Sequence, residues 1–200
     1  LFRSYHDHSW GITRLQVTAG LAGQFWLRDQ YDTGDANNPL HLPTGGYEVP
    51  LTIQDRMFNA DGTFAYPIGP HCGLQGLPAD YPGQWSPESF GDVAVVNGVI
   101  EPNMSVNRGV YRFRTLNGSN ARFYNLKLVR VDTNGTPTGQ TLSLYQIGSD
   151  GGLLNAPVEM SELLMAPAER ADLLVDFRSA PAGSKWRLVD RKSTRLNSSH

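Results

Sequence analysis

Short apolar segments separated by glycine, proline and other turn-forming residues recur along most of the chain, and amphipathic helical periodicity is scarce. In VYRFRTL, residues 110–116, successive side chains alternate between two sides, with one side carrying Val110, Arg112, Arg114 and Leu116. Strands are predicted at residues 24–28, 49–55, 93–97, 110–116, 122–131, 142–147, 158–164, 171–177 and 185–189. This pattern predicts an all-β sandwich or barrel.

Several polar segments divide these strands. Residues 30–46 are rich in turn formers and predict a linker. Residues 66–91 form a long predicted loop, which is either functional or wraps around a sandwich edge. Asn117-Gly118 predicts a hairpin, and GSDGGL, residues 148–153, predicts a second turn.

The last residues, 190–200, have no strand pattern. Their sequence, DRKSTRLNSSH, resembles the translated reading frame of a common sequencing-library adapter. We therefore interpret this segment as a non-native tail and exclude it, with His200, from the fold and from the function.

Composition and charge restrict the function classes. The chain has 200 residues, 40% of them hydrophobic, so it can bury one core and a fragment of a second. A net charge of −2 without a basic run argues against a nucleic-acid partner. No apolar run is long enough to cross a bilayer, and no targeting signal is visible. Since Leu1 opens inside a patterned segment, we expect an upstream part, and the compartment cannot be assigned.

Two histidines near the start, in SYHDHSWGITR, carry the most specific chemistry. In an extended segment His6 and His8 point to the same side, while Asp7 points away. Neutral imidazole is a good ligand for copper, zinc or iron, and Asp7 would then act as an acceptor behind the ligands. The alternative is a hydrogen-bonded or solvated pair without metal. His41 and His71 lie in predicted loops, and their distance in sequence from this pair matches no metal-ligand spacing.

The single cysteine, Cys72, excludes an internal disulfide. It follows His71 in a loop-like run, where a copper or zinc role and a plain surface thiol are both open interpretations. The surface thiol is the preferred one.

Other chemistry is poorly supported. No nucleophile elbow and no phosphate-binding glycine loop is present, and residues 20–23, GLAG, are interpreted as close backbone packing. Scattered methionines are interpreted as core filling. A group of carboxylates near turns is interpreted as a solvated face rather than an acid–base pair: Glu159, Glu162, Glu169, Asp172 and Asp176.

Four segments in order resemble the multicopper oxidases, in particular the branch of bacterial spore-coat laccases and bilirubin-oxidase-like proteins. Residues 5–29, YHDHSWGITRLQVTAGLAGQFWLRD, resemble the end of that family's first cupredoxin domain. Residues 45–67 resemble the entry to the second domain, and residues 90–128 and 146–177 resemble its continuation. The resemblance covers nearly all of the chain before the tail.

The resemblance implies a cupredoxin-like Greek-key fold, with one nearly complete domain and the last strand of a preceding one. Residues 1–29 would be the end of the first cupredoxin domain, 30–46 an interdomain linker, 47–189 the second cupredoxin domain and 190–200 the tail. The missing partners would be the rest of the first domain and a third domain.

In the family the corresponding His-X-His segment supplies two ligands of the trinuclear copper cluster. Carried over, His6 and His8 become ligands of the paired type 3 coppers. The type 1 copper site is expected to be absent from this fragment, because Cys72 lacks that site's flanking histidines. Motifs such as NGSNARFY, residues 117–124, bind no copper in the family and are interpreted as structural.

The implied function is a laccase-type oxidase that couples one-electron oxidation of phenols, aromatic amines or pigments to reduction of dioxygen to water. The fragment alone is expected to be inactive. One alternative is a cupredoxin-like structural or interaction module with a vestigial His-X-His. Another, a zinc hydrolase, lacks further ligands at suitable spacing. The resemblance is compatible with an extracytoplasmic or spore-coat location.

Overall fold

The computed structural model describes residues 2–66 and 90–190. The first strands are β1 Phe2–His6, β2 Ala22–Trp26, β3 Glu48–Arg56, β4 Val93–Val96, β5 Val99–Ile100, β6 Val110–Asn117 and β7 Tyr124–Val131. The later strands are β8 Pro137–Leu142, β9 Leu144–Ser149, β10 Gly152–Met160, β11 Leu163–Met165, β12 Arg170–Asp176 and β13 Lys185–Asp190. Helical structure in these ranges comprises α1 Thr13–Thr18 and a 3-10 turn, Gly45–Tyr47.

The strands form three sheets. Strands β1 and β2 pair only with each other, antiparallel, and we call them the His strand pair. A seven-stranded sheet has the order β10-β9-β12-β6-β3-β4-β5, in which β3 and β6 run parallel. The third sheet joins β11, β7 and β13, with β8 also paired to β7. We call the strands β3 to β13 the sandwich.

The apolar core lies between the two larger sheets. Its cluster of buried side chains combines residues from both, such as Leu126 of β7, Leu144 of β9 and Leu173 of β12. Alternation along each strand directs one face inward, which explains why short β segments can enclose a common core. The predicted all-β class is confirmed. Within the described ranges, no helix has the length and apolar character that crossing a membrane requires.

Most predicted strands are present, but two predictions, a strand and a hairpin, differ from the structure for the same physical reason. The predicted strand 158–164 is interrupted after Met160, because β10 pairs with β9 whereas β11 pairs with β7 in the other sheet. The predicted hairpin at Asn117-Gly118 is wrong, since β6 and β7 also belong to different sheets. At both places the chain crosses between sheets. The turn in GSDGGL is confirmed, with Ser149 opposite Gly152.

The segment that follows β2 buries polar side chains. Between Trp26 and Gly45 the chain has no strand, yet Asp32 and Asn38 are completely buried. Asn38 bonds locally, since its side chain donates to the carbonyl of Leu42 at 2.9 Å and accepts from the amide of Leu42 at 2.8 Å. Asp32 attaches this segment to β6 of the sandwich, because its carboxylate accepts hydrogen bonds from Arg112 and Arg114.

Candidate metal centre

The two histidines lie at one end of the His strand pair. β1 ends at His6, which is opposite Ala22 of β2, and His8 follows just beyond the strand. Both side chains are exposed. Their ring centroids are 5.7 Å apart, and the ring planes differ by 30°. The structure thus brings two imidazole groups close together at the surface of the described residues.

A local hydrogen bond determines which nitrogen of His6 is free. Nδ1 of His6 lies 2.6 Å from the backbone carbonyl oxygen of Asp7. Because a carbonyl oxygen only accepts, Nδ1 must carry the proton that it donates. In the neutral ring the lone pair then lies on Nε2, which is the atom that a metal ion would use.

Asp7 acts through its backbone rather than through its carboxylate. Its carboxylate accepts the Ser9 backbone amide at 2.8 Å and the Ser9 hydroxyl at 3.1 Å. These hydrogen bonds lower the pKa of Asp7 below its ordinary value, with the larger effect from the Ser9 backbone amide and the smaller from the Ser9 hydroxyl. The Asp7 side chain therefore stabilises the turn after β1. The hydrogen-bond acceptor behind His6 is the backbone carbonyl of Asp7 rather than its carboxylate.

Among the described residues, the pair is not part of a larger group of possible metal ligands. Within residues 2–66 and 90–190, no three His, Cys, Asp or Glu side chains form a group that could hold an ion. His41 lies exposed in the segment before β3, with a positive φ of 51°. His71, Cys72, nearly all of the predicted 66–91 loop and the tail after Asp190 fall outside the described residues.

One member of the carboxylate group contradicts the predicted solvated face. Asp172 in β12 is only 2% exposed. Its two carboxylate oxygens share a bifurcated hydrogen bond from Nε of Arg112, at 2.9 and 3.2 Å, and Nη2 donates a further one at 2.6 Å. The prediction failed because this partner lies 60 residues away in sequence, on the neighbouring strand.

Asp172 belongs to a buried group of charges that we call the ion cluster: Asp32, Glu48, Arg112, Arg114 and Asp172. Arg112 makes a bidentate contact with Asp32, at 3.0 and 2.9 Å. Arg114 donates to Glu48 at 2.7 Å and to Asp32 at 2.9 Å. Buried charges require such partners, because losing water is costly for each ion. The cluster was not predicted from the sequence, although two arginines in the alternating strand VYRFRTL were a signal.

Two carboxylates of the ion cluster, Asp32 and Glu48, are stabilised in their charged form. Burial alone would raise the pKa of Asp32, but the hydrogen bonds and charges of Arg112 and Arg114 outweigh it and hold the pKa well below its ordinary value. The pKa of Glu48 is lowered in the same way, against burial, by Arg28 and Arg114. The cluster connects the segment after β2 with β3, β6 and β12.

Comparison with known proteins finds laccases and other multicopper oxidases. No protein-family model matches the chain. The chain is 40% identical over 173 residues to a laccase of Bacillus subtilis, a match that covers 86% of this chain and 30% of that protein. It is 38% identical over 180 residues to a laccase of Haloferax volcanii, covering 87% and 27%. The crystal structure of the McoA multicopper oxidase of Aquifex aeolicus superposes with a TM-score of 0.76 at 37% identity, covering 94% of this chain and 36% of that one.

The chain is a homologue of one segment of the multicopper oxidases. Its fold is accordingly of the cupredoxin type, as the resemblance implied. The chain spans about 30% of the length of the curated multicopper oxidases that it matches. Copper is the cofactor class that the family implies.

The residues present fit part of a copper site. Imidazole nitrogen is a ligand that suits copper, and two imidazoles with exposed edges lie together at the end of β1. The carbonyl of Asp7 fixes the His6 tautomer from behind, which is the usual support of a metal-binding histidine. The described residues supply these two donors, so the remaining ligands would come from elsewhere.

Proposed function

We propose that the chain is a segment of a laccase-type copper oxidase, in which His6 and His8 hold copper. The observation that carries this proposal is the position of the two imidazoles, 5.7 Å apart at the exposed end of β1, in a chain 40% identical to a laccase. The whole protein would oxidise phenols, aromatic amines or pigments and reduce dioxygen to water. Bound copper would supply the one-electron chemistry.

This chain's own residues would bind and orient. His6 would offer Nε2 to the metal, because its Nδ1 donates to the carbonyl of Asp7. His8 would offer the second imidazole, and the turn closed by Asp7 and Ser9 would keep the two rings at their separation. By the resemblance, each imidazole would hold one of the paired type 3 coppers. The type 1 site would lie outside this chain.

The domain assignment belongs to the same proposal. Residues 1–29 would be the end of a first cupredoxin domain, 30–46 a linker, 47–189 a second domain and 190–200 a non-native tail. The separate pairing of β1 with β2 supports the first boundary, since neither strand joins the sheets of the sandwich. Dioxygen, the aromatic substrate and the missing cupredoxin domains would be the partners.

We also propose that these 200 residues alone are inactive. The described residues hold no group of three possible metal ligands, so the two imidazoles would need ligands from other parts of a longer protein. The same observation favours the second candidate, a cupredoxin-like module in which the His-X-His is vestigial. Oxidation of a laccase dye by the purified chain with added copper would contradict the expected inactivity.

The two candidates are separated with the complete protein, expressed from the full reading frame that encodes this chain. We expect His6→Ala and His8→Ala each to reduce copper content, the absorption of the type 3 pair and oxygen consumption with a phenolic dye. His41→Asn is the matched control, because this exposed histidine has a positive φ that asparagine tolerates. Unchanged copper content and absorption in both alanine variants would defeat the ligand assignment.

A further inference from the structure

Trp26, at the end of β2, contacts two arginines: Arg28, in the segment that follows β2, and Arg114, in β6 of the sandwich. The guanidinium carbons of Arg28 and Arg114 each lie 5.3 Å from the Trp26 ring centroid, within the range of cation–π attraction. Both arginines are themselves fixed by Glu48, to which Arg28 donates at 3.1 and 2.7 Å and Arg114 at 2.7 Å. The ring therefore rests on side chains that the ion cluster holds in place.

The same face of β2 carries a second contact. Gln24 donates through Nε2 to the backbone carbonyl of Arg114 at 2.8 Å, and its Oε1 accepts from the Trp26 indole at 3.0 Å. Residues two apart on a strand share a face, so Ala22, Gln24 and Trp26 lie on one side of β2. Residues directly opposite in an antiparallel pair also share a face, which places His6 on that side, opposite Ala22.

The His strand pair has little packing of its own. None of residues 3–31 is buried, and α1 buries no residue. A cleft of about 590 Å³ is lined by Ala22 at the His6 end and by Gln54 and Ile100 of the sandwich. The cleft thus separates the His6 end of β2 from the sandwich, and the contacts of β2 with the sandwich lie further along the strand, at Gln24 and Trp26.

Other contacts attach neighbouring parts. Arg56 donates to the Val17 carbonyl of α1 at 3.0 Å, and Asn120 donates to Thr18 at 2.6 Å. Arg3 donates to the carbonyl of Asp150 at 2.5 Å. The contacts to α1 hold the segment between the strands, and Arg3 holds the outer strand. On the inner strand β2, Gln24 and Trp26 join this face to the sandwich through their contacts with Arg114.

We propose that Trp26 is a positioning residue for the His6–His8 pair. Its contacts with Arg28 and Arg114 fix the angle of the His strand pair on the sandwich, and thereby the place of both imidazoles. Trp26 and Ala22 are four residues apart, about 13 Å along a strand. A rotation of about 20° at Trp26 would therefore move the His6 end by roughly 4–5 Å. The inference rests on the proposed function, because the position of the imidazoles matters only if they bind metal.

The first test measures the strand pair without metal, in the full 200-residue chain. In Trp26→Leu we expect the amides of β1 and β2 to exchange with solvent about tenfold faster, since two cation–π contacts are lost. The amides of β6 and β12 should keep their wild-type rates. Trp26→Phe retains an aromatic face and should recover most of the protection. Trp186→Leu in β13 is the matched control, because this half-buried tryptophan packs on the sandwich core instead.

The second test measures position. Cu²⁺ bound at the histidine pair and a nitroxide on Lys185→Cys, in a Cys72→Ser background, report one distance by pulsed electron resonance. We expect a shifted and broader distance distribution in Trp26→Leu, and a distribution close to wild type in Trp26→Phe and Trp186→Leu. A role confined to overall stability would leave the distance of the folded protein unchanged.

The outcomes separate this inference from the proposed function. Wild-type exchange rates and distances in a folded Trp26→Leu chain would overturn the positioning role. If that variant does not fold, Trp26→Met takes its place, because methionine fills similar space without an aromatic face; unchanged exchange of β1 and β2 there would also overturn the role. If neither His6→Ala nor His8→Ala lost the Cu²⁺ signal, that result would contradict the proposed function, whatever the exchange data show.

Discussion

The His strand pair and the sandwich differ in how their residues are held. The pair consists of two strands, none of residues 3–31 is buried, and large apolar side chains such as Tyr5 and Phe25 are 62% and 58% exposed. The sandwich encloses an apolar cluster drawn from both of its sheets and, beside it, an ion cluster with completely buried Arg112 and Arg114.

The difference indicates a division of roles. A two-stranded sheet is marginally stable by itself, so the segment with the metal-binding candidates depends on neighbours for its position. The sandwich provides such a neighbour, because it has its own apolar core and because mutual hydrogen bonds fix the charged side chains of the ion cluster. Stability and metal binding are therefore expected to respond to different substitutions.

The largest effect is expected from the ion cluster. Arg112→Met would leave the carboxylates of Asp32 and Asp172 buried without their bidentate partner. Removing one partner of a buried ion pair costs about 3–5 kcal/mol, so the free energy of unfolding should fall by that amount in urea denaturation.

Arg178→Met provides the control for this prediction. Arg178 also pairs with a carboxylate, Asp176, at 2.6 Å, but its side chain is 70% exposed. We expect no measurable change in the free energy of unfolding, because solvent screens such pairs. Equal losses in the two variants would show that burial does not distinguish the ion cluster from the surface.

An intermediate effect is expected from acidification. Folded Asp32 has a pKa below the ordinary value of 3.8, despite burial, because Arg112 and Arg114 stabilise its charge. A depressed folded-state pKa contributes stability that is present above the unfolded-state value and is lost as the pH falls towards the folded-state value. The free energy of unfolding should therefore decrease as the pH is lowered below about 4.

Asp32→Asn tests the source of this decrease. The variant is expected to be less stable at neutral pH, with a weaker dependence of its unfolding free energy on pH in the acid range, since one titrating group is removed. Chemical denaturation at several pH values measures both quantities. A pH dependence identical to wild type would assign the acid sensitivity to other carboxylates.

The sequence predicted the parts of the fold that follow from local alternation. Strands β3, β6, β9 and β12 were recognised because apolar and polar side chains alternate or because the segment is continuously apolar. The sheet crossings after Asn117 and Met160 were missed, since a turn sequence does not state which sheet the next strand joins. Helix α1 was also missed, because it buries no residue and so carries no hydrophobic period.

The candidate site was predictable to a similar degree. The i, i+2 spacing predicted that His6 and His8 lie together, because only their own strand geometry matters. The ion cluster was not predicted, since Asp32 and Arg112 are 80 residues apart and meet only when the sandwich forms. Trp26 was unassigned for the same reason: its contacts with Arg114 depend on tertiary structure.

The smallest effect on stability, but a specific one on the metal centre, is expected at Asp7. Its pKa, like that of Asp32, is lowered, here by hydrogen bonds from Ser9 at the surface. Asp7→Ala removes these bonds and loosens the turn that separates His6 from His8. Urea denaturation should give the wild-type free energy of unfolding, whereas calorimetric titration of the chain with Cu²⁺ should show weaker binding. Ser9→Ala, which removes only the hydroxyl bond, should lie between wild type and Asp7→Ala. If instead Asp7→Ala destabilised the sandwich and left Cu²⁺ binding unchanged, the separation between the two regions would be wrong, because a surface turn of the strand pair would then contribute to the fold rather than to the site.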